Sequence, residues 1–345
     1  MTVIAAHAPG RVNLIGDHTD YSGGLVCPMA VDLGTTVVLD RSRPLSDDGR
    51  PAVQLVSAAE TEPAVVPLDV VDPASVSPPW ARYVAGVVAV LRPAAGGRGT
   101  VTTTLPVGGG LSSSAALEVA IALVRGADPA DPVALARSCQ RAEQLASGVP
   151  CGIMDQLASA GGVDGHVLLI DCTTLERRPL PLPDGVEVLV VDSGEPRTLA
   201  GSAYAERRAQ VEAAATALGL ALRDATPSHV EGLSDAVLRR RARHVVSENA
   251  RVLAFAEALT GGDLRGAGQL MVESHESLRS DFGVSTPTLD ALVARLVDTP
   301  GVWGARLTGG GFGGCVVALT EPGVGAASGL APTWVVHAAA GARLV

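Results

Sequence analysis

Leu105–Ala116 reads LPVGGGLSSSAA. A strand-like run, Val101–Leu105, feeds glycines, then serines, then an Ala-rich helical pattern from Ser113 to Arg125. Glycine lets backbone N–H groups approach an anion closely, and a helix N-terminus adds unpaired donors and the positive end of its dipole. Serine hydroxyls can add further donors or an oxygen ligand for magnesium. Two readings fit these residues: a phosphate cradle, and a plain tight strand–helix turn capped by serine. A Walker-type loop is excluded, because no Gly-Lys-Ser/Thr follows.

Strand and helix patterns alternate irregularly on both sides of this segment. Val31–Asp40 is rich in β-branched residues, and Val53–Val56 and Ala64–Leu68 read as further short strands. Trp80–Leu91 has helical apolar spacing after Pro78-Pro79; Pro132–Ser147 predicts a second helix, and another starts near Ile153. Pro179–Gly185 (PLPLPDG) is turn-rich and marks the candidate boundary between domains over residues 1–180 and 181–345. Beyond it lie a strand at Val186–Asp192 and helices over Ala203–Leu218, Asp235–Leu259 and Leu264–Ser280. Trp303–Leu307, Cys315–Leu319 and Thr333–Val336 complete the strands. This order predicts an α+β fold rather than a strict parallel sheet.

The 345 residues suit two domains of roughly 100–200 residues each. With 47% hydrophobic and 18% charged residues, the chain can bury a sizeable core. Its formal charge of −10 and 3% aromatic content argue against nucleic acid or an anionic membrane as partner. All 26 basic residues are Arg. A phosphate-loop lysine, a protein-kinase strand lysine and a Schiff-base lysine are therefore excluded. Cys27, Cys139, Cys151, Cys172 and Cys315 form no C-x-x-C pair, so reduced thiols and a cytoplasmic location are expected rather than disulfides or a zinc site. Met1–Gly10 has neither a charged leader nor a long apolar core, so no signal peptide is expected.

A second dense segment is Pro9–Pro28, PGRVNLIGDHTDYSGGLVCP. Arg11, Asn13, Asp17, His18, Asp20 and Tyr21 crowd a window framed by Gly16, Gly23 and Gly24. It reads either as an Asx-rich turn with solvated charges, or as a site whose carboxylates accept hydrogen bonds from hydroxyls while Arg11 meets an anion or a carboxylate. Two other motifs mislead. Gly309–Gly314 matches G-x-G-x-x-G, but a strand rather than a helix follows, so a hairpin or a backbone-donor loop fits better than a dinucleotide site. Asp281-Phe282-Gly283 spells the protein-kinase magnesium motif without the H-R-D segment or a lysine.

The Pro9–Pro28 segment resembles the galactokinase signature, GRVNLIGEHTDYNGG. The serine loop resembles the second motif of the galactokinase, homoserine kinase, mevalonate kinase and phosphomevalonate kinase (GHMP) superfamily, and Leu307–Leu319 (LTGGGFGGCVVAL) its third. Cys151–Gln156, Asp192–Arg208, Arg243–Arg251 and Ser274–Ser285 resemble further galactokinase segments in the same order, so the likeness spans nearly the whole chain. It implies an N-terminal domain like ribosomal protein S5 domain 2 and a ferredoxin-like C-terminal domain, with ATP and sugar in the cleft between them. It also implies transfer of the γ-phosphoryl of ATP to the anomeric hydroxyl of α-D-galactose, with Mg²⁺ as cofactor. Alternatives are a related sugar (galactosamine, N-acetylgalactosamine or a uronic acid) and a non-catalytic sugar and ATP sensor. No oligomeric state is set, and a monomer is compatible.

Residue by residue, the resemblance implies that Asp155 faces the reacting hydroxyl and that Arg11 lies between Asp155 and the phosphoryl group. Asp17, His18, Asp20, Gly152 and Tyr204 match sugar-contacting positions. Gly108, Gly109, Gly110, Leu111, Ser112, Ser113 and Ser114 would cradle the ATP phosphates. Ser113 or Ser114, with Glu143, would hold Mg²⁺, and Trp80 would open the segment that lines the adenine pocket. The departure is Asp17, where galactokinases usually carry Glu. Its side chain is shorter by one methylene, about 1.5 Å, which leaves room at the sugar, a backbone shift or a bridging water. Ser22 in place of the usual Asn is a smaller change.

Overall fold

A computed structural model describes residues 3–42, 49–106, 109–195, 200–327, 329 and 333–345. The N-terminal run forms β1 (Val3–Asn13). One 3₁₀ turn, Asp20–Ser22, and the short β2 (Leu25–Val26) lead into β3 (Pro28–Asp40), which pairs antiparallel with β1. β4 (Ala52–Ser57), β5 (Ala64–Pro67) and β6 (Gly97–Thr103) extend this sheet, with α1 (Ala81–Leu91) between β5 and β6 in the chain. The loop after β6 ends in α2 (Ser113–Val124), followed by α3 (Pro132–Ser147) and α4 (Met154–Gly161). α2 lies against β1 and β3, and the other three helices surround it. Its residues 115–124 are all buried, which is why its sequence is apolar all round rather than striped.

β7 (His166–Asp171) and β8 (Arg177–Pro181) form a small sheet with β2, in the order β2-β7-β8. The second large sheet takes β9 (Glu187–Asp192), β10 (Val302–Thr308), β11 (Cys315–Thr320) and β12 (Thr333–Val336), in the order β10-β11-β9-β12. Its helices are α5 (Ala200–Leu218), α6 (Pro227–Glu231), α7 (Ala236–Thr260), α8 (Leu264–Ser277) and α9 (Pro287–Val297); the short α10 (Val324–Ala327) precedes β12. The last strand, β13 (Arg343–Leu344), returns to pair with β1.

Strand alternation makes this second sheet the shared wall of two cores. Val188 and Val190 of β9, with Cys315, Val317 and Leu319 of β11, join a core cluster that includes β1, β3 and α2. Leu189, Val191, Val316 and Ala318 face the other way, toward Val211 of α5, Val245 of α7 and Leu289 of α9. A strand buried on both faces reads as a continuous apolar run, which is what VLVV and CVVAL are.

The α+β class and most elements match the sequence reading. Several segments differ, and the sequence reading contains neither β7 nor α9. Pro179 and Pro181, read as part of a turn, lie in β8, an edge strand where a missing N–H costs no ladder bond. The helix expected to run to Ser280 ends as α8 at Ser277 and continues as one π-helical turn, Leu278–Phe282, closed by Gly283 at φ +68°. The two-residue β13 is too short to leave a pattern. The five cysteines are free thiols, and among the described residues no helix is long and apolar enough to cross a membrane.

α8 meets β10 backbone to backbone. A Cβ on Gly304 would lie 2.1 Å from the Gly268 carbonyl oxygen, and one on Gly268 would lie 2.2 Å from the Trp303 carbonyl oxygen. Gly304→Ala is predicted to lower the unfolding free energy by about 1–3 kcal/mol through overpacking, read from urea midpoints. Unchanged stability would mean that α8 can move away at no cost.

Candidate active site

The β1–β3 register shifts between Pro9 and Arg11. Gly10 sits at this bulge, where a Cβ would lie 2.4 Å from the Leu105 side chain and 2.5 Å from the Leu111 carbonyl oxygen. The Arg11 amide donates to that Leu111 carbonyl at 3.1 Å. A bulge re-aims the neighbouring side chain, and Arg11 meets Asp155 in the first turn of α4. Arg11 Nε donates to Asp155 Oδ1 and Nη2 to Oδ2, both at 2.7 Å, while Nη1 donates to the Gly110 carbonyl at 2.7 Å. The fork geometry suits a carboxylate, and the helix N-terminus favours the negative charge. Ser112 Oγ donates to Asp155 Oδ2 at 2.5 Å.

Two cavities meet at this pair. The smaller, about 350 Å³, is lined by Asp17, His18, Asp20, Gly152 and Tyr204 together with Gly309 and Gly310. The larger, about 900 Å³, is lined by Gly109, Gly110, Ser112, Ser113 and Ser114, with Trp80, Asp192 and Glu195. Arg11, Tyr83, Glu143 and Asp155 line both.

Each wall of the smaller cavity has a local cause. Gly152 is required because a Cβ there would lie 1.7 Å from the Asp20 carboxylate. Asp20 Oδ2 in turn accepts from the Met154 amide at the start of α4, at 3.5 Å. Burial, then the charge of Asp155, pushes Asp20 up to about 6. His18 has φ +65°, unusual for a residue with a side chain. Burial, then the neighbouring His244, lowers its pKa to about 3, so the ring is neutral at ordinary pH. Its Nε2 lies 3.2 Å from the Gly310 carbonyl, which can only accept, so Nε2 carries the proton and Nδ1 accepts from the Tyr21 hydroxyl at 3.1 Å.

Asp17 is turned away from solvent. Its Oδ2 accepts from Arg306 Nη2 at 2.6 Å and its Oδ1 from the Gly309 amide at 3.0 Å. Arg306 is fully buried, and the carboxylate of Glu248 lies 4.0 Å from its Nη1. At the common wall, Ser114 Oγ donates to Glu143 Oε1 at 3.0 Å, and Gln156 Nε2 contacts Glu143 Oε2. Burial, then Asp155, pushes Glu143 up to about 6. A carboxylate and a hydroxyl in contact on a cavity wall are hard oxygen donors that fit Mg²⁺ bound mainly through phosphate and water. Among the described residues no cluster of three or more His, Cys, Asp or Glu could hold a metal alone.

The structure thus brings together Arg11, Asp17, His18, Asp20, Glu143, Gly152, Asp155 and Tyr204. Leu111 reaches neither cavity: its side chain is buried in the core. Gly108 lies outside the described residues.

Residues 2–41 match the galactokinase galactose-binding signature, 82–162 the GHMP kinases N terminal domain and 255–328 the GHMP kinases C terminal model. The chain is 43% identical to human galactokinase over 334 residues, covering 92% of this chain and 84% of that protein. It is 44% identical to the galactokinase of Roseiflexus sp. (strain RS-1) over 336 residues, covering 92% and 83%. The crystal structure of Lactococcus lactis galactokinase complexed with galactose superposes with a TM-score of 0.89 at 29% identity, covering 99% and 95%.

The chain belongs to the galactokinase family. It is an enzyme, a sugar kinase with the two-domain GHMP kinase fold, and GHMP kinases use ATP. Sequence reasoning missed what holds this candidate site in place: Ser112 on Asp155, Gln156 on Glu143, and Arg306 on Asp17. Only Arg306 left a signal, as the one charge in the apolar run beside Thr308–Gly314.

Asp20 makes a pH prediction. Its raised value means that the folded state binds the proton more tightly than the unfolded chain. Its stabilising contribution is full below the ordinary carboxylate range and is lost as pH rises through about 6. Asp20→Asn should therefore be more stable than the parent at pH 8 by about 1–3 kcal/mol, with the gap shrinking toward pH 4. Urea unfolding at several pH values checks this, and a variant less stable than the parent at pH 8 contradicts it.

Proposed function

We propose that this enzyme transfers the γ-phosphoryl group of ATP to the anomeric hydroxyl of α-D-galactose, giving galactose 1-phosphate and ADP. The observation that carries this is the shared wall: one ion pair, Arg11–Asp155, borders both the sugar-sized cavity and the cavity under the glycine–serine loop. Galactose would occupy the smaller and ATP the larger. The two lobes divide near residue 180, with β13 completing the first.

Asp155 Oδ2 already accepts two hydrogen bonds, and Oδ1 one. Oδ1 is therefore the atom that would accept from the sugar hydroxyl. As the sugar oxygen bonds to the γ-phosphorus, the bond from phosphorus to the β–γ bridging oxygen breaks and the hydroxyl proton passes to Asp155. The remaining N–H groups of Arg11 face the phosphoryl oxygens and stabilise their charge. Ser114 and Glu143 would hold Mg²⁺, with Ser113 beside them on the wall; when bound, the cation neutralises phosphate charge. The first-turn N–H groups of α2, beside Ser112–Ser114 on the larger cavity, would supply what a lysine supplies elsewhere.

With Asp17 paired to Arg306 behind the wall, the smaller cavity sets Asp20, Glu143 and Asp155 against Arg11. That wall repels a uronic acid and leaves an amino sugar such as galactosamine as the second reading. A sensor reading has no support in the geometry, since the Arg11–Asp155 pair is intact at 2.7 Å.

Asp155→Asn is expected to lower kcat for galactose by about 10²–10⁴-fold, measured by coupled ADP release, while galactose still binds. Normal turnover in that variant would overturn the mechanism. A panel of galactose, galactosamine, N-acetylgalactosamine and galacturonic acid tests the substrate, and a preference for the acid would overturn the electrostatic argument.

A further inference from the structure

Phe282 lies in the π-helical turn between α8 and α9, in a motif that phosphoryl transfer leaves unused. It is fully buried. Its ring centroid is 4.6 Å from that of His18 and 4.6 Å from that of His244. His18 is on the sugar-cavity wall, and the Nε2 of His244 lies 3.1 Å from the Asp17 carbonyl oxygen, just behind that wall.

Two arginines hold the turn. Arg241 of α7 donates from Nη1 to the Asp281 carbonyl at 2.5 Å. Arg207 of α5 donates from Nε to the Phe282 carbonyl at 2.9 Å and from Nη2 to the Gly283 carbonyl at 3.2 Å. Arg241 also lies over the Phe282 ring, 5.7 Å from its centroid, and Arg207 at the same distance over Phe312. The next residue ties in the glycine-rich loop, because the Phe312 amide donates to the Val284 carbonyl at 2.8 Å. That loop supplies the Gly310 carbonyl that accepts a hydrogen bond from His18 Nε2. A π-turn leaves carbonyls without helical partners, and a forked guanidinium can satisfy neighbouring ones together.

We propose that Arg207 and Arg241 are positioning residues for sugar binding: by holding the carbonyls of residues 281–283 they press Phe282 against His18 and fix the imidazole in its strained backbone conformation. Neither arginine lines either cavity. Their effect should fall more on the sugar than on ATP, because Phe282 packs on His18, which lines the smaller cavity and not the larger. This inference rests on the smaller cavity being the galactose site.

Calorimetric titration of galactose in the absence of ATP tests it, on the parent and on Arg207→Gln, Arg241→Gln and Phe282→Leu. The galactose Kd is expected to rise about tenfold in each, while the KM for ATP stays within about twofold in the coupled assay. Arg241→Lys keeps the charge and stem but loses the fork, and is expected to weaken galactose binding in the same direction. If the Gln variants do not fold, this variant decides. Galactose affinity unchanged in folded variants overturns the latch. Galactose and ATP constants that rise together also overturn it, since they report a general loosening. A parent that binds no galactose overturns the assignment of the smaller cavity, and the latch with it.

Discussion

The bidentate pair between Arg11 and Asp155 is the contact on which the rest of the site depends. It joins residues 144 positions apart in sequence and closes the gap between two cavities. Its partners come from three elements: a bulged strand, the loop before α2 and the first turn of α4. Arg11 is 5% exposed, so a partner is required; an unpaired guanidinium at that depth would cost about 3–5 kcal/mol. The glycine at the bulge, the carbonyl of Gly110 and the hydroxyl of Ser112 all serve this one pairing.

A second group of buried charges lies behind the wall of the smaller cavity. Arg306 binds Asp17, Glu248 accepts from the Gly16 amide at 3.0 Å and from Arg251 at 2.7 Å, and His244 reaches back to Asp17. These contacts tie the N-terminal signature to α7 and β10, across the junction of the two lobes. They also explain how this chain tolerates Asp17 where the family usually has Glu. The shorter carboxylate is fully engaged by Arg306 and by the Gly309 amide, so no vacancy is left between it and the protein.

Much of this architecture is legible in the amino-acid sequence. The strand–loop–helix around Gly108–Ser114 stands out because glycine, serine and an apolar helix each leave a local mark. Asp155, Glu143 and Tyr204 do not, since each is an ordinary residue on a helix, and only resemblance to a family singles them out. The β-bulge at Gly10 and the buried Arg306 are products of tertiary contact: one sits where a Cβ would lie 2.5 Å from the Leu111 carbonyl oxygen, the other answers a counter-charge 289 positions away. Pro179–Pro181 misleads because proline signals a turn and an edge strand equally well. Lysine's absence removes the rival kinase loops, and in the structure Arg11 and the start of α2 line the larger cavity.

A double-mutant cycle on Arg11 and Asp155 tests the central claim most directly. Single-turnover phosphoryl transfer to galactose would be timed for the parent, Arg11→Gln, Asp155→Asn and the double variant. If the pair works as one unit, the double variant loses little more than the slower single variant. If the two losses multiply, Arg11 and Asp155 act independently, and the shared wall is not the place where the two substrates meet.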